Sequence, residues 1–444
     1  MKNKQFLFNA LFGLFLMLVL KSQCYGFQDV QVFSGTAKLA DDSRRVFLEF
    51  DQNDESLIRW GIENSGRYRI PLSNVKISEY SNFKTFSGDM TFFGAGSFGS
   101  IEGVLKGDEL KGEMVWHRDT VSLSLTATTR ILSYEEETLA FGDKNLQLRG
   151  TLVKPKVGTG TYPVVIFSHG SGSSWRWWGM YWAAELAKIG IASFLYDKRG
   201  CGESGGSWQK ASLDDLALDV AAAIKALKSH AAIDVKKIGV YGVSQGAWVA
   251  GRAYEFSNDI SFLVANSGGG ISPRDEELFS YDTNMKFAGI GTLDRKMGLQ
   301  LIENYFEYLQ EDIDLPELKI RMQRVKKEKW YPILGLERIL ISPEDRKNWQ
   351  WVATYDPIKD ISKIDSPVLL LFGEEDHVQP STVAIEKWEE GLKIAGNKHY
   401  QVELFKQAGH GLVVGGHHVK GFPKYAKSFI PLLQAWLIEK VLKN

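Results

Sequence analysis

The pentapeptide Gly242-Val-Ser-Gln-Gly246 is the stretch of this sequence best suited to covalent chemistry. An apolar run at residues 238–241 precedes it, and an Ala-rich run that can form a helix follows it. A serine in a G-x-S-x-G spacing between strand and helix is typical of a nucleophile elbow. Glycine is needed on both sides, because a Cβ there would collide with a sharply bent backbone. The pattern predicts an exposed Ser244 hydroxyl, with the Gln245 N–H facing the place where an oxyanion would form.

A serine hydroxyl needs a base in contact with it and an acid that holds that base in the correct tautomer. On strand-turn-helix folds of this kind the chain order is serine, acid, histidine. An apolar run at residues 369–372 leads into an acidic turn that ends at Asp376, and His410 follows the next apolar run with glycine on both sides. We therefore predict Ser244, Asp376 and His410 as the triad. Glu374 and Glu375 are alternative acids, and the alternative histidines are His377, His417 and His418.

The second oxyanion donor is expected from the loop that follows the apolar run at residues 164–168. That loop reads His169-Gly-Ser-Gly172, and its glycines let backbone N–H groups approach a tetrahedral oxygen. We predict that the Ser171 N–H acts together with the Gln245 N–H, with the Gly172 N–H as the alternative to Ser171. His169 is expected to brace the loop rather than to act in catalysis.

Composition describes a globular chain of more than one domain. The 444 residues are 44% hydrophobic and 24% charged, and 53 basic residues balance 54 acidic ones. Such a length is sufficient for two domains with a substantial core. Nothing in the balanced charge indicates a nucleic-acid partner.

The N-terminus has the pattern of a secretory signal peptide. Lys2 and Lys4 precede an apolar run at residues 6–20, and small residues follow, which predicts a signal over residues 1–26. The run is short for a span of about 20 residues, so no stable membrane span is expected after cleavage. A lipoprotein signal ending at Cys24 is less favoured, because Gln23 stands where a small residue is wanted.

The rest of the chain divides into a β-rich and an alternating part. The predicted signal implies a periplasmic, extracellular or cell-surface protein. Cys201 is the only cysteine after the signal, so an internal disulfide is excluded, which fits a periplasmic or bacterial surface protein better than a small disulfide-stapled secreted domain. Residues 27–130 predict short antiparallel strands in a sandwich or barrel, a candidate surface for a glycan or a partner protein. Residues 131–444 alternate strands and helices, which predicts a doubly wound, mostly parallel sheet. Within it, residues 270–360 predict a helical cap over the site.

Five motifs together resemble those of the α/β-hydrolase superfamily, in its exported bacterial esterase and serine-aminopeptidase-like branch. They are His169-Gly-Ser-Gly172, Asp197-Lys-Arg-Gly-Cys-Gly-Glu-Ser204, Gly242-Val-Ser-Gln-Gly246, Gly373-Glu-Glu-Asp376 and Gly409-His-Gly411. The resemblance covers about residues 150–440 and leaves the N-terminal β-rich domain outside. It implies acyl transfer to water through a Ser244 acyl-enzyme, without a metal or an organic cofactor.

Three functions remain in competition. We expect a carboxylesterase that acts on small-molecule esters with small or medium acyl groups. The alternatives are a serine aminopeptidase, another peptidase or a thioesterase on the same triad, and a non-catalytic binding protein. No acidic pair that would bind a substrate ammonium can be recognised, although Glu303, Glu307 or other cap residues could form one. Four tryptophans after the oxyanion loop are expected to be shared between the core and the cleft lining, namely Trp175, Trp177, Trp178 and Trp182.

Overall fold

A computed structural model describes residues 30–93, 96–156, 158, 160–415 and 421–443. The predicted signal peptide, Cys24, His417 and His418 lie outside the described residues. Among the described residues, no helix is long and apolar enough to cross a bilayer.

The N-terminal part is one antiparallel sheet of nine strands that encloses its own core. Alternation builds it: in the last strand, Val121, Leu123 and Leu125 are buried while the residues between them are exposed. The strand order is β4-β3-β2-β1-β9-β8-β7-β6-β5, close to a barrel. The strands are β1 Val30–Leu39, β2 Asp42–Asp51, β3 Ile58–Ile62, β4 Arg67–Pro71, β5 Ser73–Glu79, β6 Lys84–Met90, β7 Gly99–Lys106, β8 Glu109–Trp116 and β9 Asp119–Thr128.

The second sheet has eight strands in the order β10-β11-β13-β12-β14-β15-β16-β17. The first two form an antiparallel hairpin that pairs with β13, and every pair from β13 to β17 is parallel. The strands are β10 Tyr134–Gly142, β11 Gln147–Pro155, β12 Tyr162–Ser168, β13 Ala192–Tyr196, β14 Ile233–Val243, β15 Phe262–Asn266, β16 Val368–Gly373 and β17 Tyr400–Phe405. Its central strands are continuous apolar runs, because helices cover both faces.

Helices lie on both sides of this sheet. Neighbouring residues of β12 show it, since Val164 belongs to one hydrophobic cluster and Val165 to the other. One face carries α2 Leu213–Lys228, α3 Gln245–Ala253 and α7 Ser381–Ile394, and the other carries α1 Met180–Ala187 and α8 Phe429–Leu437. The first turn of α2 is closed by a reciprocal capping box between Ser212 and Asp215. The predicted fold class is confirmed: a mostly parallel α/β sheet follows an antiparallel β-rich part.

A helical segment between β15 and β16 forms a separate layer with its own core. It contains α4 Pro273–Phe287, α5 Thr292–Leu309, α6 Leu315–Val325 and a series of one-turn helices that ends at Ile361. Its far end contacts the sheet domain, where the Trp349 Nε1 donates to the Gln209 carbonyl at 2.6 Å. Its near end is held where the Trp248 Nε1 donates to the Ile271 carbonyl at 3.0 Å. We call residues 273–361 the cap.

A buried ion network joins the two sheets. The Arg69 side chain has no exposed surface, and its Nε lies 2.8 Å from the Glu49 carboxylate. The same guanidinium contacts Glu136 and Tyr134 of β10. Phe422, from the C-terminal part of the chain, completes the N-terminal core beside Trp116. The β-rich part is therefore joined to the parallel sheet through desolvated contacts.

Candidate active site

Ser244 occupies the sharp turn between β14 and α3. Its φ of 53° and ψ of −126° lie outside the regions that a non-glycine residue normally adopts. Both flanking glycines are sterically required: a Cβ on Gly242 would lie 2.3 Å from the Gly246 carbonyl oxygen, and one on Gly246 would lie 2.3 Å from the Ser168 oxygen. The strained turn therefore depends on backbone packing on both sides of the serine.

The segment that follows β15 supports the turn from behind. The Ser244 N–H donates to the Asn266 carbonyl at 2.9 Å. A Cβ on Gly268 would lie only 2.1 Å from the Ser244 carbonyl oxygen. The sequence reasoning did not identify Gly268, although the Ser267-Gly-Gly-Gly270 run could have indicated a close backbone approach.

Asp376 and His410 are in direct contact. The His410 Nδ1 lies 2.9 Å from the Asp376 Oδ2, and the acid side chain is completely buried. A carboxylate accepts, so His410 carries its hydrogen on Nδ1 and leaves Nε2 free to accept. The second oxygen of Asp376 accepts the backbone N–H groups of Val378 at 2.8 Å and Gln379 at 3.2 Å. Together these three bonds fix the orientation of the Asp376 carboxylate.

The loop that carries His410 is tied to the segment behind the serine. The Gly411 N–H donates to the Ser267 hydroxyl at 3.0 Å. Within the described residues, no hydrogen bond joins Ser244 to His410, a contact that often forms only with substrate bound. The alternative acids Glu374 and Glu375 are exposed, whereas Asp376 is buried.

The two segments that carry the predicted oxyanion donors both adjoin Ser244. Gln245 is the first residue of α3, so its N–H is one of those that a helix leaves without an internal acceptor. A Cβ on Gly170 would lie 3.6 Å from the Ser244 Cβ, which places the loop of residues 169–172 against the serine. Ser171 is exposed in that loop, and Gly172 adopts a positive φ of 78°.

His169 fixes the start of the loop of residues 169–172 to a neighbouring strand. Its Nε2 lies 2.5 Å from the Tyr196 carbonyl, and a carbonyl only accepts, so that nitrogen carries the hydrogen. Burial, reinforced by the charge of Lys198, lowers the pKa of His169 to about 3. The imidazole is therefore neutral and joins the loop to the end of β13, as a structural residue.

The tryptophans after the loop pack elsewhere. Trp178 and Trp182 are buried in the core beneath the sheet, and the Trp175 Nε1 donates to the Phe92 carbonyl of the β-rich part at 2.7 Å. Trp177 faces Arg59 at 5.5 Å. The core therefore takes Trp178 and Trp182, as expected for part of this group, while Trp175 and Trp177 contact the β-rich part and their place in the cleft lining stays a prediction.

Two consecutive cap carboxyl groups, Glu276 and Glu277, lie near the start of α4. Glu276 is buried, and its Oε2 has no hydrogen-bond partner among the described residues. Burial, with the nearby charges of Glu277 and Asp376, raises the pKa of Glu276 well above its ordinary value. Burial also raises the pKa of Glu277 to about 7. Because the charge of Asp376 contributes to the raised pKa of Glu276, Glu276 lies near this predicted acid.

The cap acids named from sequence are engaged elsewhere. Glu303 pairs with Arg274, and Glu307 pairs with Arg321 at 2.8 Å. Nothing in the local sequence distinguished Glu276 from these, because its burial depends on the packing of the cap. Among the described residues, no group of three or more His, Cys, Asp and Glu side chains could hold a metal ion.

Comparison with known proteins identifies the family to which this fold belongs. The family model of the alpha/beta hydrolase fold matches residues 162–416, more than half of the chain. The chain belongs to the α/β-hydrolase fold family. That membership supports a hydrolase as the general class of activity, while the β-rich part lies outside the match.

Solved structures with a similar chain trace are also α/β hydrolases and esterases. An esterase from Pyrococcus furiosus is 19% identical, with 70% of this chain and 93% of that chain covered and a TM-score of 0.46. The α/β hydrolase GrgF from Penicillium is 19% identical, covering 69% and 99%, with a TM-score of 0.44. Est1E from Butyrivibrio proteoclasticus is 14% identical, covering 69% and 99%, with a TM-score of 0.43. No curated protein matches the chain significantly.

Proposed function

We propose that this α/β hydrolase is a carboxylesterase that cleaves esters of small or medium acyl groups through a Ser244 acyl-enzyme. The observation that carries the proposal is the buried Asp376 carboxylate on the Nδ1 of His410, in a loop tied behind the Ser244 turn. A base held in this tautomer is the partner that a serine nucleophile requires.

The reaction would proceed in two steps. The His410 Nε2 takes the Ser244 proton as the hydroxyl oxygen attacks the ester carbonyl, and the oxyanion accepts the Ser171 and Gln245 N–H groups. The protonated His410 then gives that proton to the leaving alcohol as the acyl–oxygen bond breaks. Water, deprotonated by the same nitrogen, then attacks the acyl carbon, and His410 returns the proton to the Ser244 oxygen as the Ser244–acyl bond breaks and the acid leaves.

The cap supports a limit on substrate size. Residues 273–361 lie between β15 and β16 and contact the loop at residues 208–210, which supports a cover over the carboxyl end of the sheet. A covered site excludes water and limits the acyl group that can enter. Each methylene that fits is expected to add about 1–3 kcal/mol of discrimination until the pocket is full.

Labelling with a fluorophosphonate probe tests the nucleophile, and p-nitrophenyl esters of graded chain length test the substrate class. Wild type is expected to be labelled and to prefer short or medium chains, while Ser244→Ala loses the label and about 10⁴–10⁶-fold in kcat. Ser122→Ala, an exposed serine of β9, is the matched control and should behave as wild type. Labelling at another serine, or a rate that still rises at long chains, would refute the nucleophile or the size limit respectively.

A second candidate is an aminopeptidase, and Glu276 is the observation that favours it. A buried carboxyl oxygen without a partner, with Glu277 beside it, could accept an N–H of a substrate ammonium, whose positive charge would offset the burial that raises the pKa of Glu276. Aminoacyl-p-nitroanilides assayed beside the esters decide between the two. If the anilides are cleaved faster and Glu276→Gln raises their KM but not that of a neutral ester, the aminopeptidase replaces the esterase. Activity toward thioesters alone would indicate a thioesterase, and inactivity toward all three substrates a binding protein.

We further propose export to the periplasm or cell surface, on the basis of the pattern in residues 1–26. Fractionation of cells that express the full chain checks it: the protein should leave the cytoplasm in a form shortened near Gly26. Cytoplasmic full-length protein would contradict export, and labelling of Cys24 with a lipid would indicate the lipoprotein route.

A further inference from the structure

Lys198, the second residue of the Asp197–Ser204 motif, has an unusual set of partners. Its side chain is buried, with 3% of the residue exposed. The Nζ donates to the Gly170 carbonyl at 2.9 Å, to the Gly172 carbonyl at 3.0 Å and to the Gln245 Oε1 at 2.8 Å. An ammonium has three N–H donors, so these bonds use all of them.

The three acceptors belong to the two elements that carry the predicted oxyanion donors. Gly170 and Gly172 stand on either side of Ser171, and Gln245 supplies the other N–H. The Gly170 carbonyl and the Ser171 N–H share one peptide unit, which is planar and trans, so they point in opposite directions. Holding that carbonyl toward the buried ammonium therefore turns the Ser171 N–H away from it, out of the protein interior.

The charge of this lysine is expensive for the fold. Among the described residues no carboxylate forms an ion pair with the Lys198 Nζ, and desolvation penalises a buried charge that has no counter-ion. A neutral side chain would fill the space at lower cost. A charge kept at such a position is typical of a functional site.

We propose that Lys198 is a positioning residue of the oxyanion hole: its ammonium joins the loop of residues 169–172 to Gln245, so that the Ser171 and Gln245 N–H groups converge on the substrate oxygen. The inference rests on the proposed serine hydrolysis and adds to it a residue that acts through two others.

The ionisation of Lys198 provides a readout. Burial lowers the pKa of Lys198 to about 7, while Cys201 and Asp219 act in the opposite direction. His169 is the other titratable group that interacts with it, and it stays neutral, while the Trp208 ring lies 5.7 Å from the Nζ. A neutral amine has two N–H donors and cannot make three donor bonds. One of the three contacts is therefore lost as pH rises through the pKa, and kcat should fall on the alkaline side.

The test compares Lys198→Met with wild type on a p-nitrophenyl ester that wild type cleaves. Losing one oxyanion donor typically costs about 10²–10³-fold, so we expect a fall of that size in kcat with little change in KM. Lys237→Met is the matched control, because the Lys237 Nζ also donates to a backbone carbonyl, that of Val441 at 2.8 Å, away from the site. It should keep the wild-type kcat.

Two further measurements separate positioning from a purely structural role. The alkaline fall of kcat should be present in wild type and in Lys237→Met and absent from Lys198→Met. Gln245→Met, which keeps its backbone N–H, should lower kcat less, and the double variant with Lys198→Met should be no slower than Lys198→Met alone. If Lys198→Met does not fold, Gln245→Met and the pH dependence of kcat in wild type still test the inference.

The failures are distinguishable. If the fluorophosphonate does not label Ser244 in wild type, the proposed function fails. If wild type is labelled and active, but Lys198→Met keeps kcat within about threefold or the alkaline fall is missing from wild type, only the role of Lys198 is overturned.

Discussion

Replacing Asp376 by asparagine should remove catalysis while leaving the fold in place. The two backbone N–H groups of Val378 and Gln379 both donate to the Asp376 Oδ1, at 2.8 and 3.2 Å. An asparagine can accept these bonds only with its carbonyl oxygen, so its amide NH₂ must occupy the position of Oδ2. That group would then donate to the His410 Nδ1, which now lies 2.9 Å from Oδ2.

The consequence is the wrong tautomer. A His410 that accepts at Nδ1 carries its hydrogen on Nε2 and cannot take the proton of Ser244. Rotating the amide to restore the tautomer would set the NH₂ against two N–H donors, each a buried group that costs about 1–3 kcal/mol when unsatisfied. The structure therefore favours the inactive form, and we expect kcat to fall by about 10⁴-fold.

Steady-state kinetics on a short-chain p-nitrophenyl ester measures the effect, with urea unfolding as the test of the fold. Asp376→Asn should unfold cooperatively like wild type and bind substrate with a similar KM. Glu374→Gln and Glu375→Gln, at exposed positions of the same turn, are the matched controls and should stay active. A loss of less than about tenfold in Asp376→Asn, or inactivity of either control, would show that another acid orients His410.

Three further predictions concern the supporting structure. Gly268→Ala should lower kcat by about 10²-fold in a steady-state assay, because the new Cβ, 2.1 Å from the Ser244 carbonyl oxygen, must displace the nucleophile. Gly251→Ala, with open space around its Cβ, is the control and should keep the wild-type kcat; equal kcat values in the two variants would refute the steric argument. In urea unfolding, the free energy of unfolding should fall by up to about 1.4 kcal/mol per pH unit as the pH drops from about 6.5 toward 3, because His169 binds a proton in the unfolded chain but has a pKa of about 3 in the folded one. The same dependence of unfolding free energy on pH in His169→Asn would contradict this. Arg69→Met should lower the free energy of unfolding by about 3–5 kcal/mol, because Glu49 and Glu136 lose their buried partner. Lys84→Met, which removes an exposed ion pair, should leave the urea midpoint unchanged, and similar midpoints in the two variants would show that the buried network is dispensable.

The sequence by itself determined the parts of this protein that depend on local chemistry. A G-x-S-x-G turn can be recognised because part of the steric demand on its glycines comes from within the motif, as with the Gly246 oxygen near Gly242. Continuous apolar runs such as residues 164–168 indicate a sheet covered on both faces, because no alternation is possible there. The placement of Asp376 and His410 after the late strands follows from the same reasoning, since residues at the carboxyl ends of parallel strands meet at one edge.

Only the tertiary structure decided which side chains from distant segments meet. Gly268 matters because it packs on a backbone oxygen 24 residues earlier, and Lys198 because three acceptors from two other segments surround its ammonium. The same limit explains the tryptophans: each is a large apolar group, and its sequence position does not show whether core, domain boundary or cleft will bury it. Glu276 and Glu303 differ in what the folded cap places beside them. Glu303 pairs with Arg274, whereas one oxygen of Glu276 has no hydrogen-bond partner among the described residues. Burial and partnership are properties of the packed chain, because desolvation acts on a side chain only after residues remote in sequence have closed around it.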